Sequence, residues 1–595
     1  MAKEYDRRNL DFILKEVFDT ASLCNYPRYA DYTPDMFDMV LDSADAIAEK
    51  YLRPIYVDSD RKAAELVDGV VHVHPGIEPY MKEMGEAGMI GCTFDIEHGG
   101  QQVPSMIGGA HEFIRGAAHN SAVMFTGLSH GAAHLIASFG SKELADTYVP
   151  NMLSGKWAGT MCLTEPQAGS SLNDASTSAK DLGDGTYAIK GQKIFISGGD
   201  NHFSENIIHL VLARLEGAPA GTKGISLFVV PKKRIENGTL VNNEVISLGV
   251  YHKMGQKATP ALHLSFGDKG NSIGYLVGEP NRGLSYMFQM MNEARLGVGM
   301  GGAYIASAAY HASKQYAEER AQGRLLTNKD PNTPPTLIKN HPDVQRMLYF
   351  QKAIVEGSMG LLFQCFMWDD LAKSLDGEEK KEAQMMLDLM TTVAKTYPAE
   401  MGTQAVNQGL QVLGGYGYTE DFPLEQMARD VRIMSIYEGT TGIHGLTLLG
   451  RGIPANNGEA LQTLGKLVFA DIAVAKGHES LAKYASMLEK ELENLTKVTM
   501  HKLGFAMKGE IEVFLADSTL YMELFGLITV AWQWLKQGHV AAAALAKGGL
   551  SAEDKAFYTD KIHTMKFFYH YEVPKALGLS KRLFDEEILT IFDHK

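Results

Sequence analysis

The feature that most constrains this chain is a change of period along it. Up to about residue 158, apolar side chains recur every third or fourth position, as in "PDMFDMVLDSADAIAEKYLRPIY", the spacing of one helix face. Between about 159 and 280 the pattern turns into short β-branched runs: "TYAIKGQKIFIS", "IIHLVLAR", "GISLFVVPKK" and "EVISLGV". Asp184-Gly185, "EGAPAGTKG" and Asn237-Gly238 separate them with turn chemistry. Helical spacing returns near 283 and lasts to about 450, broken at 327–342 by "TNKDPNTPPTLIKNHP", whose four prolines demand a loop. "RGIPANNGEA" at 451–460 reads as a linker, and beyond it Leu481, Tyr484, Leu488, Leu492, Leu495 and Val498 step along a further amphipathic helix.

With 595 residues, the chain exceeds what one core organises. The expectation is a mainly α protein with a central small β-barrel or sandwich domain. Its parts are a helical region at 1–158, a β-domain at 159–281, a helical bundle at 282–452 and a helical extension at 453–595. The net charge of −15 argues against nucleic acid as the main partner, since phosphate binding needs a basic face. Four cysteines lie far apart with no CxxC pair, which suits a reducing compartment. The start, "MAKEYDRRNLDFILKEVF", lacks the apolar core of a signal peptide, so the expected location is cytoplasmic. The uncharged run at 122–140 carries two His, two Ser, a Thr and three Gly; a buried helix pair is expected there, not a membrane span.

Three motifs are set aside on their context. "GVGMGG" at 297–302 satisfies GxGxxG, but helical pattern flanks it on both sides, so the glycines are read as close helix packing instead of a dinucleotide site. His130 and His134 stand at i, i+4 without the Glu of a zinc protease motif or a nearby third ligand, and no metal is expected. Gly155-Lys156 and Gly465-Lys466 lack the following Ser or Thr of a phosphate loop. Harder to dismiss is "MCLTEPQAGSSLNDAS" at 161–176, a turn-rich loop that offers hydroxyls and backbone N–H groups to a ring or to phosphates. "KIFISGGD" and "GLQVLGGYGYTED" repeat the theme, and "SIYEGTTGIHG" places one carboxylate, Glu438, among small and apolar neighbours.

Taken in order, "MCLTEPQAGSS", "KIFISGG", "YHKMGQKATPALHLSF", "MNEARLGVG", "YAEERAQGR", "QVLGGYGYTED" and "IYEGTTGIHGLTLLGRG" resemble the acyl-CoA dehydrogenase family over about 160–452. The length and the helical part after 455 are similar to the larger bacterial members. The resemblance implies FAD held without a Rossmann fold. Met161, Leu163, Thr164 and Ser170 would line the flavin, as would Phe195, Ile196 and Ser197, where the family commonly has Trp-Ile-Thr. Arg320, Gln411, Gly414 and Gly415 would contact FAD across a subunit interface, which implies at least a homodimer, and Thr440 would also face the cofactor. Gly442 and the pair His341-Pro342 stand where smaller members often have Gln.

The resemblance also implies that Glu438 removes the α-proton of an acyl-CoA thioester while the β-hydrogen leaves as hydride. Burial would strengthen that base, and the Glu438 N–H would be one donor to the thioester oxygen. Asn292, Arg295 and Gly439 would help place substrate, and Ser170 would touch the CoA part. Some members keep their base just before the Arg of "ARLG"; here that place is Ala294, and Glu293 lies about 100° round the helix from it. Electrons would pass to an electron-transfer flavoprotein; a flavin acyl-CoA oxidase and a non-catalytic acyl-CoA-binding protein are the competing readings. Extended relatives sometimes associate with membranes, so the surface of 455–595 is a candidate for peripheral membrane contact.

Overall fold

A computed structural model describes residues 3–328 and 330–592. Met1, Ala2, Lys329 and Asp593–Lys595, at the ends of the expected first and last regions and inside the 327–342 loop, lie outside the described residues, as do the side chains of Gln289 and Met290. Two compact units form, one from Asp35–Ala294 and the other from Met1–Pro34 with Arg295–Lys595.

The first of these units opens with helices, among them Pro34–Ile47, Ile77–Glu86, Ser105–Ala118, Val123–Phe139 and Lys142–Leu153. The run at 122–140 is one helix, not a pair: nothing between Val123 and Phe139 is strong enough to stop it, since its glycines are tolerated by burial around Ala132, Leu135 and Ile136. A small hairpin, Glu65–Val67 with Val70–His72, interrupts the helical region around Asp68-Gly69, both in left-handed conformation.

The β-domain follows. Tyr187–Ser197 pairs with Ser272–Val277, which pairs with Ile225–Pro231, which pairs with Asn206–Leu215. Ser178–Asp181 bridges Asn206–Leu215 back to Tyr187–Ser197, so these strands close into a ring. Closure leaves the ring without a free edge. Trp157–Cys162 extends it parallel to Asn206–Leu215, while Ala261–Phe266 and Val245–Val250 continue from the far end of Tyr187–Ser197. Ile225–Pro231 is buried at every residue, which is why it reads as a continuous apolar run and not as an alternation.

In the other unit the long helices Gly283–Glu319 (from Arg295 onward), Pro342–Ser374 and Gly377–Leu413 form the bundle. Here the glycine motif finds its use. A Cβ on Gly299 would lie 2.1 Å from the Ala394 carbonyl oxygen, and one on Gly302 would lie 2.4 Å from that of Pro398, so only glycine lets these two helix backbones meet.

The extension consists of Glu459–Lys476, Ala482–Met507, Ser518–Lys547, Ala552–Tyr571 and Lys575–Phe584. All of Leu481, Tyr484, Leu488, Leu492, Leu495 and Val498 are buried. Ile511–Lys547 is long and apolar enough to cross a membrane by length and composition, but 67% of its apolar 18-residue stretch is buried within the fold. Its Trp534 Nε1 donates to the Ala353 carbonyl (3.0 Å), and Gln537 Nε2 to that of Glu356 (3.1 Å).

The chain's beginning is woven into the same unit. Tyr29 donates to Asp370 (2.7 Å), Ser307 donates to the Glu4 carbonyl (2.9 Å), and buried Lys561 bonds both Asn9 and Glu356.

Candidate active site

In the β-domain, Met161, Leu163, Thr164 and Ser170 lie at the end of Trp157–Cys162 and in the loop after it, and Phe195, Ile196 and Ser197 end Tyr187–Ser197; Ile194 N donates to the Thr164 carbonyl (2.9 Å) between them. Ile194 and Phe195 both fall opposite His263, because the register of Tyr187–Ser197 against Ala261–Phe266 shifts there. This is a β-bulge, and Phe195 takes φ +58°, a conformation costly for an aromatic residue. The bulge throws the Phe195 ring outward, 57% exposed, against Tyr251 at 4.5 Å between centroids. Ile196 is buried, while Met161, Leu163, Thr164 and Ser197 are half-buried and Ser170 is exposed.

The loop after Met161 is fixed from inside. Lys193, fully buried, donates to the Leu163 carbonyl (3.0 Å) and to Glu165 (2.8 Å). Glu165 also accepts from the N–H groups of Ser176 (2.7 Å) and Thr177 (3.1 Å). Burial pushes the Glu165 carboxyl up, but Lys193 and these donors outweigh it and hold it at about 2.

The second set lies in the bundle. Glu438 occupies a left-handed corner at φ +53°, followed by Gly439 at φ +94°. A side chain at Gly439 would meet His444 Nε2 at 2.7 Å, so the corner requires glycine. Thr440 caps the helix Thr441–Thr447, its hydroxyl accepting from Ile443 N (3.4 Å). That helix packs on the extension so closely that a Cβ on Gly445 would lie 2.7 Å from the Ser518 carbonyl oxygen.

Around the corner, His444 Nε2 contacts the Glu438 carbonyl (3.0 Å), Lys395 Nζ donates to the Gly439 carbonyl (2.8 Å), and Thr441 donates to Glu400. Burial drives the Glu438 carboxyl above the usual carboxylate range, and Arg295 and Lys395 oppose that rise. Burial lowers His444 to about 3, so its imidazole is neutral and Nε2–H is the donor to Glu438. Glu438 is therefore not the isolated acid in an apolar loop that the sequence suggested. Two cations and a second acid, Glu400, stand around it, contributed by helices remote in sequence.

Arg295 is buried and faces Glu438; Asn292 is half-buried on the same helix. Arg320 lies at the C-terminal end of that helix. Gln411, Gly414 and Gly415 lie where Gly377–Leu413 ends, and all four are exposed. A Tyr316, Tyr416 and Phe422 cluster ties these two helix ends together, with centroids 5.6–6.5 Å apart.

Glu293 is committed elsewhere, accepting from His134 at 2.9 Å with His130 at 3.9 Å. A carboxylate thus does reach the histidine pair, contrary to the sequence expectation, but no group suited to a metal ion occurs among the described residues. Lys193, Glu165, Lys395, Glu400 and His444 were not singled out from sequence.

Family models match the chain almost end to end. The acyl-CoA dehydrogenase N-terminal domain covers 35–156, the middle domain 160–268 and the C-terminal domain 338–453, and an acetyl-CoA dehydrogenase C-terminal-like domain covers 464–587. The chain belongs to the acyl-CoA dehydrogenase family, FAD-dependent oxidoreductases.

Among its relatives, the 3-methylmercaptopropionyl-CoA dehydrogenase of Ruegeria pomeroyi is 35% identical over 92% of this chain and 93% of its own. A butyryl-CoA dehydrogenase of Syntrophomonas wolfei is 32% identical over 97% of this chain and 96% of its own. A solved acyl-CoA dehydrogenase of Bacillus anthracis, complexed with FAD, shares the fold with a TM-score of 0.72 at 19% identity, covering 96% of this chain and 91% of that one.

Proposed function

We propose that the protein oxidises a saturated acyl-CoA to the trans-2-enoyl-CoA with Glu438 as the base, and that an electron-transfer flavoprotein takes the electrons. The observation that carries this reading is the Glu438 corner: a carboxylate made more basic by burial, in a left-handed turn that only the following glycine completes. Such strained turns are kept where the surrounding structure holds a reactive group in place.

The residues present fit FAD. The strand end at Phe195 offers a flat exposed ring, half-buried apolar groups at Met161 and Leu163, and hydroxyls at Thr164 and Ser197. Arg320 offers an exposed guanidinium, and Gly414 and Gly415 offer open backbone with nothing within 4 Å of a Cβ position. Bound flavin supplies the acceptor for the β-hydrogen. The Glu438 carboxylate takes the α-proton, Arg295 supplies countercharge, and Gly439 borders the substrate. Exposure of Arg320, Gln411, Gly414 and Gly415 supports a second subunit covering them.

Anaerobic titration of the FAD-loaded protein with acyl-CoAs from butyryl upward, 3-methylmercaptopropionyl-CoA included, tests the reading. Flavin bleaching by wild type and none by Glu438→Gln is expected, and it ranks the substrates in one experiment. Absence of bleaching with every thioester would overturn it. Stoichiometric peroxide under aerobic turnover would replace the flavoprotein acceptor with oxygen.

A further inference from the structure

The Glu438 corner is built on a buried lysine that no motif marks. Lys395 projects from the middle of Gly377–Leu413, has no exposure to solvent, and donates to the carbonyl of Gly439, one residue past Glu438. Its position gives it two tasks at once. The hydrogen bond fixes the peptide that ends the left-handed turn, and the ammonium stands in a water-poor region where a charge acts on its neighbours far more strongly than it would at the surface.

The charged and titratable groups facing the corner are few. Gly377–Leu413 supplies Lys395 and Glu400, Gly283–Glu319 supplies Arg295, and Thr441–Thr447 supplies a neutral His444. Behind them Glu523 of the extension interacts with Glu400. Two acids thus face two cations around one turn. Burial lowers Lys395 to about 8 while Glu400 and Glu438 oppose that loss, so the lysine is cationic through neutral pH. Glu400 is engaged by the Thr441 hydroxyl, which ties the acid to the helix that starts after the corner.

We propose that Lys395 is a positioning residue for the reaction: it locks the Gly439 peptide so that the Glu438 carboxylate points in one direction, and with Arg295 it supplies the countercharge that carboxylate needs. The inference rests on Glu438 being the base. It adds that the base is tuned by opposition. Burial makes the carboxylate a better proton acceptor, and the lysine stops burial from leaving it protonated, and inert, at working pH.

The test is the pH profile of kcat/KM, which reports the free enzyme's ionisations, for FAD-loaded Lys395→Met and Lys395→Arg. Removing the cation takes away an influence that lowers the Glu438 pKa, so the acid limb of Lys395→Met moves to higher pH. Its kcat/KM falls by about tenfold or more as the corner loosens. Lys395→Arg keeps the charge and leaves the limb at its wild-type position, whatever its rate.

A Lys395→Met limb that coincides with wild type overturns the proposal; a loss of rate with an unmoved limb means a packing role only. If Lys395→Met does not retain its flavin band and helical signal, Lys395→Gln carries the same comparison. Failure of the underlying reading is seen separately, as flavin reduction that survives in Glu438→Gln.

Discussion

Two corners of this molecule share one backbone device and use it in opposite ways. At Phe195 a left-handed, non-glycine residue pushes an apolar ring into the open; at Glu438 a left-handed, non-glycine residue holds a half-buried carboxylate beside the buried Arg295 and Lys395. Each is secured by a buried lysine that donates to a backbone carbonyl, Lys193 to Leu163 and Lys395 to Gly439. The difference lies in the countercharge. Lys193 has its own carboxylate, Glu165, at 2.8 Å, whereas the acids acting on Lys395 are Glu400 and Glu438. A closed pair holds its loop rigidly. A lysine shared between two acids leaves Glu438 able to change its protonation.

The comparison breaks hardest at Glu438, the proposed base. Glu438→Gln keeps the shape of its corner and loses the proton acceptor, so the flavin reduction rate falls by about 10³-fold in anaerobic stopped flow. Next comes the closed pair. Lys193→Met leaves Glu165 buried without its cation and costs about 3–5 kcal/mol in denaturant unfolding, while replacing both partners with apolar residues recovers most of that loss.

The sign of the pH dependence sharpens the contrast. Glu165 sits at about 2, below an unpaired carboxylate, so its stabilisation is complete above the ordinary carboxylate range and disappears as pH falls toward 2. Thermal unfolding of Glu165→Gln is accordingly flatter with pH on the acid side than that of wild type. Glu438, raised instead of lowered, favours the fold less as pH increases through its range.

Gly439→Ala is expected to cost about 1–2 kcal/mol for the left-handed backbone, plus the displacement of His444. It reads out as a lower melting temperature together with slower flavin reduction. Smallest is Phe195→Gly: relief of strain leaves the melting temperature of the apoprotein no lower than wild type, while FAD dissociates faster.

Periodicity made the β-domain legible because its strands are short, β-branched and bounded by turn residues, and the extension helix legible because its six stripe residues all meet the core. The loop around Glu438 was legible as a motif, and the structure makes it a left-handed corner that Arg295 and Lys395 act on. Lys193 and Lys395 were not. Their partners lie 28 and 44 residues away, and a single lysine in a polar stretch reads as solvated surface until the fold removes the solvent. The bulge at Phe195 was equally silent, since it arises from a register shift against a strand more than sixty residues further on. The 122–140 run, expected as a helix pair, is one helix, Val123–Phe139, with its glycines accommodated inside it.

The weaving of the first 34 residues into the unit completed by Arg295–Lys595 sets an order of assembly. Asn9 emerges from the ribosome 552 residues ahead of Lys561, an interval of about half a minute to two minutes at ordinary elongation rates. Asp35–Ala294 is contiguous and has every residue it needs while that interval runs. The other unit closes only after Ala552–Tyr571 is made, when that helix meets a segment made much earlier. The Glu438 corner therefore belongs to the later of the two units to close.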